Sequence, residues 1–131
     1  MAIYTNLPVY KASYSLLLEV SKMLKDLPKD SRYTIGQELR ERIMHIIILI
    51  YKASRSKHKI SMISEMRESL LETQVYIRLL SDMRNISEGR YAALAEQTSS
   101  ISKQLAAWEN SAREKNYEQL KHSDGQRPAE E

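Results

Sequence analysis

Lys52, Arg55, Lys57, His58 and Lys59 fall within eight residues, with no carboxylate among them. A basic cluster this dense stays in water or meets an anion. It follows directly on the most apolar run of the chain: Ile43, Met44, Ile46, Ile47, Ile48, Leu49, Ile50 and Tyr51, interrupted only by His45. A run that apolar is buried on most of its circumference, so the cluster sits at the end of an enclosed helix. Cations there complement the helix dipole. That role accounts for Lys52 and Arg55 but not for Lys57 and Lys59 as well, and it leaves two readings open, phosphate binding and a solvated turn. Arg32, Arg40, Arg42, Arg78 and Arg84 can extend a basic surface, although sequence does not set their facing.

Other chemistries find little material. The chain has no Cys, so disulfides and Cys-based metal sites are excluded. Helical carboxylate–metal bundles use Glu-x-x-His pairs that project inward, and none occurs. Glu41 and His45 are four apart, but one pair cannot build a site, and His45 reads as a polar residue at the margin of an apolar face. Gly36 and Gly89 are isolated rather than part of a phosphate-binding loop, and Ser, His and Asp show no triad spacing. The expectation is a protein without catalytic activity, metal or cofactor. Base stacking requires exposed aromatics among basic residues. Tyr51 beside Lys52 and Tyr33 beside Arg32 meet that condition, whereas Tyr10, Tyr14, Tyr91 and Trp108 fall on expected inner faces.

The elements that position these residues are helices. A chain of 131 residues can bury one core, and three Gly and three Pro leave long uninterrupted segments. Residues 1–60 hold eleven Lys and Arg against five Asp and Glu, whereas 61–131 hold nine against twelve. A basic half suggests an anionic partner. No signal peptide is recognisable at the start, and the 43–51 run is far short of the ~20 apolar residues of a membrane span. A cytoplasmic protein with no membrane partner is expected.

Four helices are predicted, at about 8–26, 34–55, 60–84 and 87–115. In the first, Asn6 is the expected cap, Pro8 suits the first turn, and Tyr10, Tyr14, Leu17, Val20 and Leu24 share a face. Leu27–Tyr33 reads as a connection, and Thr34 with Gln37 has capping-box spacing. Ile35, Leu39, Ile43, Ile46, Ile47 and Ile50 form the inner face of the second helix. Met44, Ile48 and Leu49 exceed what one core can bury and read as a subunit contact. Ile63, Met66, Leu70, Thr73, Ile77 and Leu80 define the third helix, with Val75, Leu79 and Met83 on an adjoining strip. Asn85 reads as its stop and Ser87 as the next cap. Tyr91, Leu94, Thr98, Ile101, Leu105, Trp108 and Ala112 keep a bundle seam for three heptads in the fourth. The fold class is therefore all-α, an antiparallel up-down four-helix bundle over residues 1–117. Residues 118–131 read as a disordered polar tail.

Leu7-Pro8-Val9-Tyr10-Lys11, Leu27-Pro28 and Tyr33-Thr34-Ile35-Gly36-Gln37-Glu38-Leu39 resemble the small four-helix-bundle proteins that include those encoded in ribosomal RNA intervening sequences. Arg78-Leu79-Leu80, Ile86-Ser87, Tyr91-x-x-Leu94 and Ile101-x-x-Gln104-Leu105-x-x-Trp108 resemble a second branch, the accessory variability determinant (Avd) proteins of diversity-generating retroelements. The likeness covers about residues 7–112. Where the family has a Gly pair before the Trp, this chain has Ala106-Ala107. The resemblance implies a homopentameric ring that binds a reverse transcriptase and its structured template RNA and supports mutagenic cDNA synthesis without catalysing it. In that setting Lys52, Arg55, Lys57, Lys59, Arg32, Arg40, Arg78 and Arg84 are candidate RNA contacts. The alternative is a structural or adaptor bundle of the intervening-sequence type with no nucleic-acid role.

Overall fold

Leu39, Ile43, Ile46 and Ile50 recur at steps of three and four, and each is fully buried. They form the inner face of α3 (Ile35–Ser54), the helix that packs against most of the others. A computed structural model describes residues 3–126, with side chains to Lys121. A 3-10 turn at Tyr4–Asn6 leads into α1 (Pro8–Met23), and a second at Leu24–Asp26 follows it. Then come α2 (Lys29–Tyr33), α3, α4 (Ile60–Asp82) and α5 (Glu88–Gln126). The four long helices pack cyclically, α1 on α3, α3 on α4, α4 on α5 and α5 on α1. Two cross-helix pairs fix the antiparallel sense of α3 and α4, Arg42 with Glu72 and His45 with Glu65, and Arg67 with Glu109 ties α4 to α5.

All six seam positions expected in the third helix, from Ile63 to Leu80, are buried. In α5, Leu94, Thr98, Ile101 and Leu105 are buried, while Tyr91, Trp108 and Ala112 pack half-buried at the margins. Three core hydroxyls use backbone carbonyls: Ser69 donates to Arg42 O, Thr73 to Ser69 O and Thr98 to Ala95 O, whereas the Ser13 hydroxyl on α1 is buried without a partner among the described residues. Such pairing removes the cost of burying an unsatisfied polar group. Gly36 lies where α3 crosses the end of α1; a Cβ there would come within 2.7 Å of Leu24 Cδ2.

Several sequence expectations are corrected. The buried face of α1 is Val9, Ser13, Leu16, Val20 and Met23, about one residue round from the expected one, and Tyr14 is 50% exposed. Both faces of α1 are apolar, so periodicity alone could not choose between them. Asn6 belongs to the leading turn, Leu7 occupies the cap position, and Leu7 O accepts from Lys11 N. The 27–33 connection contains the one-turn α2. Thr34 makes no capping box; its Oγ1 donates to Asp30 O at 2.6 Å and so closes α2 instead. Leu49 is 5% exposed in the protomer's own core. Ser87 does cap α5, accepting from Arg90 N at 3.1 Å. That helix continues to Gln126, past the expected boundary, through a stretch rich in helix-forming Glu, Lys, Gln and Arg. Residues 127–131 of the expected tail lie outside the described residues.

α4 ends in a Schellman closure. Arg84 N donates to Ser81 O and Asn85 N to Leu80 O, both at 2.9 Å, with Arg84 at φ 60°. Glycine is the usual occupant, because a side chain there crowds the following carbonyl. Arg84→Gly should therefore raise the unfolding free energy by about 1 kcal/mol, read as a higher urea midpoint at unchanged slope. An unchanged or lower midpoint would mean that the arginine side chain offsets its backbone strain.

Candidate nucleic-acid interface

The basic cluster is shaped by how α3 ends. Ser54 Oγ donates to Tyr51 O, Arg55 N to Lys52 O and Ser56 N to Ala53 O, which closes the last turn. Ser56 Oγ then accepts from His58 N at 2.9 Å and turns the chain toward α4. Lys59 reaches back so that its Nζ donates to Ala53 O at 2.6 Å. An ammonium on a terminal carbonyl meets the negative end of the helix dipole. Burial, and after it the neighbouring charge of Lys115, hold the Lys59 pKa below the ordinary 10.5.

Lys115 was not among the residues singled out from sequence. It is 56 positions from Lys59, beyond the periodic part of α5, and only the length of that helix brings it here. Lys57, His58 and Lys59 form one side of a cleft of about 590 Å³; Lys115, Asn116 and Gln119 form the other. None of Lys52, Arg55, Lys57, Lys59 or Lys115 has a carboxylate within ion-pair distance among the described residues. Arg55 instead donates from Nη1 to Tyr51 OH at 3.2 Å and lies 5.4 Å from that ring's centre.

The remaining basic candidates do not join this corner. Arg32 precedes α3 whereas Lys52–Lys59 end it, a separation of roughly 30 Å along a 20-residue helix. Arg32 donates to the carbonyls of Leu24, Lys25 and Leu27 and closes the end of the first helical segment. Arg78 faces Asp82 through both carboxylate oxygens at 3.2 Å. Arg84 follows α4 at the same end as Arg32, where Ser31 donates to Asn85 Oδ1. Arg42 is held by Glu38 and Glu72. Arg40 is exposed on the flank of α3, beside Leu17 and Met44. Arg32, Arg42 and Arg78 thus have helix-end or ion-pair roles, whereas the lysine-rich corner gathers several cations without a carboxylate partner among the described residues.

Two apolar surfaces stay uncovered in the protomer. On α3, Met44 and Ile48 are 46% and 44% exposed. On α4 and its C-terminal cap, Leu71, Val75, Leu79 and Met83 follow one another at four-residue steps and are all exposed. Among the described residues no group of three or more His, Asp or Glu is placed to hold a metal ion, and no helix is long and apolar enough to cross a membrane.

Compared with known families, residues 9–112 match the one described as bAvd-like. No curated protein matches the sequence.

A lysine whose folded pKa is depressed is destabilised by its own charge. The cost persists through neutral pH and fades as pH rises through the lowered value toward 10.5. A ¹³Cε titration should place the Lys59 midpoint below that of an ordinary lysine. Lys115→Gln should raise it only part of the way, because burial is the larger cause. A midpoint insensitive to Lys115→Gln would separate the two side chains and open the cleft.

Proposed function

The chain belongs to the bAvd-like family, and from that premise we propose that it is a non-catalytic accessory protein. In this reading it binds structured RNA and a reverse transcriptase of a diversity-generating retroelement. The observation that carries the reading is the unpaired basic corner: four lysines, one arginine and His58, drawn from α3, the α3–α4 connection and α5, with no carboxylate partner among the described residues. Phosphate oxygens suit it, because each lysine presents a mobile point charge rather than a fork that demands one geometry. Lys52, Lys57 and Lys115 are the principal phosphate contacts. Lys59 contributes field while it closes α3. A reverse-transcriptase gene with a template/variable repeat pair beside this gene supports the reverse-transcriptase part; a ribosomal RNA intervening sequence as its location favours an adaptor role instead.

We also propose a ring. The Met44/Ile48 surface and the Leu71–Met83 ridge lie on different helices, so two copies can join head to tail without using the same patch twice. Heterologous contacts of that kind close into rings when the rotation permits. A pentamer is the ring size we propose.

RNA binding should depend steeply on salt, with log K falling by roughly 0.7 to 0.9 per log unit for each phosphate neutralised. Changing Lys52, Lys57 and Lys115 together to Gln should flatten that slope by about 2 to 3 and weaken binding. Thermal stability should hardly change, since exposed charges at helix ends contribute ~0.3 to 1 kcal/mol each. Identical affinity and slope in the two proteins would reduce the corner to a solvated turn.

The ring is tested by mixing. Light scattering should give a mass several times the chain's 15.2 kDa. Ile48→Glu and Val75→Glu should each lower it, because a charge left in an apolar contact is costly. Mixed together, the two variants should pair through their one intact junction and stop at dimers. A wild-type monomer, or variants that still assemble fully, would overturn head-to-tail assembly through these faces.

A further inference from the structure

Four tyrosines form a continuous row on the side of the molecule where α1 meets α3. Tyr14 and Tyr10 are near-parallel, with ring centres 6.1 Å apart and planes at 15°. Tyr10 meets Tyr4 edge to face at 5.3 Å, and Tyr4 meets Tyr51 at 5.1 Å and 74°. The Arg55 guanidinium covers the far end. Aromatic rings in a core are enclosed, but here Tyr14 is 50% and Tyr51 38% exposed, and Tyr4 and Tyr10 are half-buried. Three separate elements supply the rings: the leading turn, α1 and the end of α3.

No Asp or Glu occurs between residues 3 and 18 or between 42 and 64, the two segments that carry the row. Lys11 follows Tyr10 in sequence, and Lys52 and Arg55 follow Tyr51. A contact with a second copy of this chain needs apolar area, which Met44 and Ile48 provide further along α3. It does not call for an aromatic strip that ends in a cation. Single-stranded nucleic acid needs both, because every base has a π-face and every linkage a charge.

We propose that Tyr14, Tyr10, Tyr4 and Tyr51 are a stacking track for the bases of single-stranded nucleic acid, whose backbone continues onto the Lys52–Lys59 corner. This rests on the nucleic-acid reading of that corner and adds a second mode of contact to it. Paired RNA hides its base faces and binds through phosphates alone. An unpaired segment adds stacking, with little preference among bases. The row thereby distinguishes a strand end or loop from a duplex.

The test uses the full chain with three probes: oligothymidylate, an abasic oligomer of the same length, and a blunt RNA duplex. Wild type should bind oligothymidylate more tightly than the abasic strand. Tyr14→Leu and Tyr51→Leu should each weaken oligothymidylate binding by roughly 5- to 150-fold and leave abasic and duplex affinities unchanged. Tyr14→Phe and Tyr51→Phe keep the ring and should restore binding, which separates stacking from a folding defect. Equal binding of oligothymidylate and the abasic strand, still weakened by the lysine changes, overturns the track and leaves the basic corner standing. Failure to bind any of the three probes overturns both. A Leu variant whose assembly mass falls while oligothymidylate binding stays the same also overturns the track and assigns the row to a contact between copies.

Discussion

Burial of one face of α3 is the constraint on which the rest depends. Leu39, Ile43, Ile46, Ile50 and Ala53 are all fully enclosed, and Ile47 and Leu49 nearly so. Each large apolar side chain withdrawn from water contributes ~1.5 to 3 kcal/mol, so no arrangement that frees this helix can compete. α1 and α4 take its two sides, and α5 closes the square. Because α3 cannot rotate or slide without exposing isoleucines, its last turn has one position. The side chains that follow inherit that position: Lys59 on Ala53 O, Arg55 on Tyr51, and the connection into α4. A surface of mobile lysines thus rests on an immobile base.

Charge is sorted along this framework. Several arginines are engaged by carbonyls or carboxylates, as with Arg32 on three backbone oxygens and Arg42 between two glutamates. Glu109 accepts from Arg113 and from Arg67, and the two guanidiniums hold its carboxyl below the usual range while tying α5 to α4. The groove between α3 and α4 carries Glu41, Glu65, Glu68 and Glu72. Four carboxylates thus line one groove, and none among the described residues lines the cleft where α3 ends. A net charge of +3 conveys none of this separation.

The seams of α4 and α5 were legible because each has one apolar stripe and polar residues elsewhere, so Ile63 through Leu80 and Leu94 through Leu105 could face only one way. α1 was misread by about one position because Tyr10, Tyr14, Leu17 and Leu18 compete with Val9, Leu16 and Met23. Leu49 was assigned to a subunit contact because a run of consecutive apolar residues does not show how wide the cavity around it is. The Lys52–Lys59 part of the corner was visible as a local cluster. Lys115 and the tyrosine row were not, since each is assembled from residues distant in sequence. Arg32 and Arg78 read as extensions of a basic surface because local carbonyls and an i,i+4 carboxylate carry no compositional signature.

α5 has 39 residues against 16 to 23 in its three long neighbours, about 58 Å at the usual rise. From Arg113 to Lys121 every side chain is exposed. One continuous helix therefore spans two regimes of stability. Its amides up to about Ala112 open only with the core, whereas those beyond depend on helix propensity alone, which is marginal in water. Lys115 sits just past the boundary between the two. The cleft thus has one wall set by the bundle and another that opens by local fraying on a much shorter timescale, so its width is a dynamic quantity.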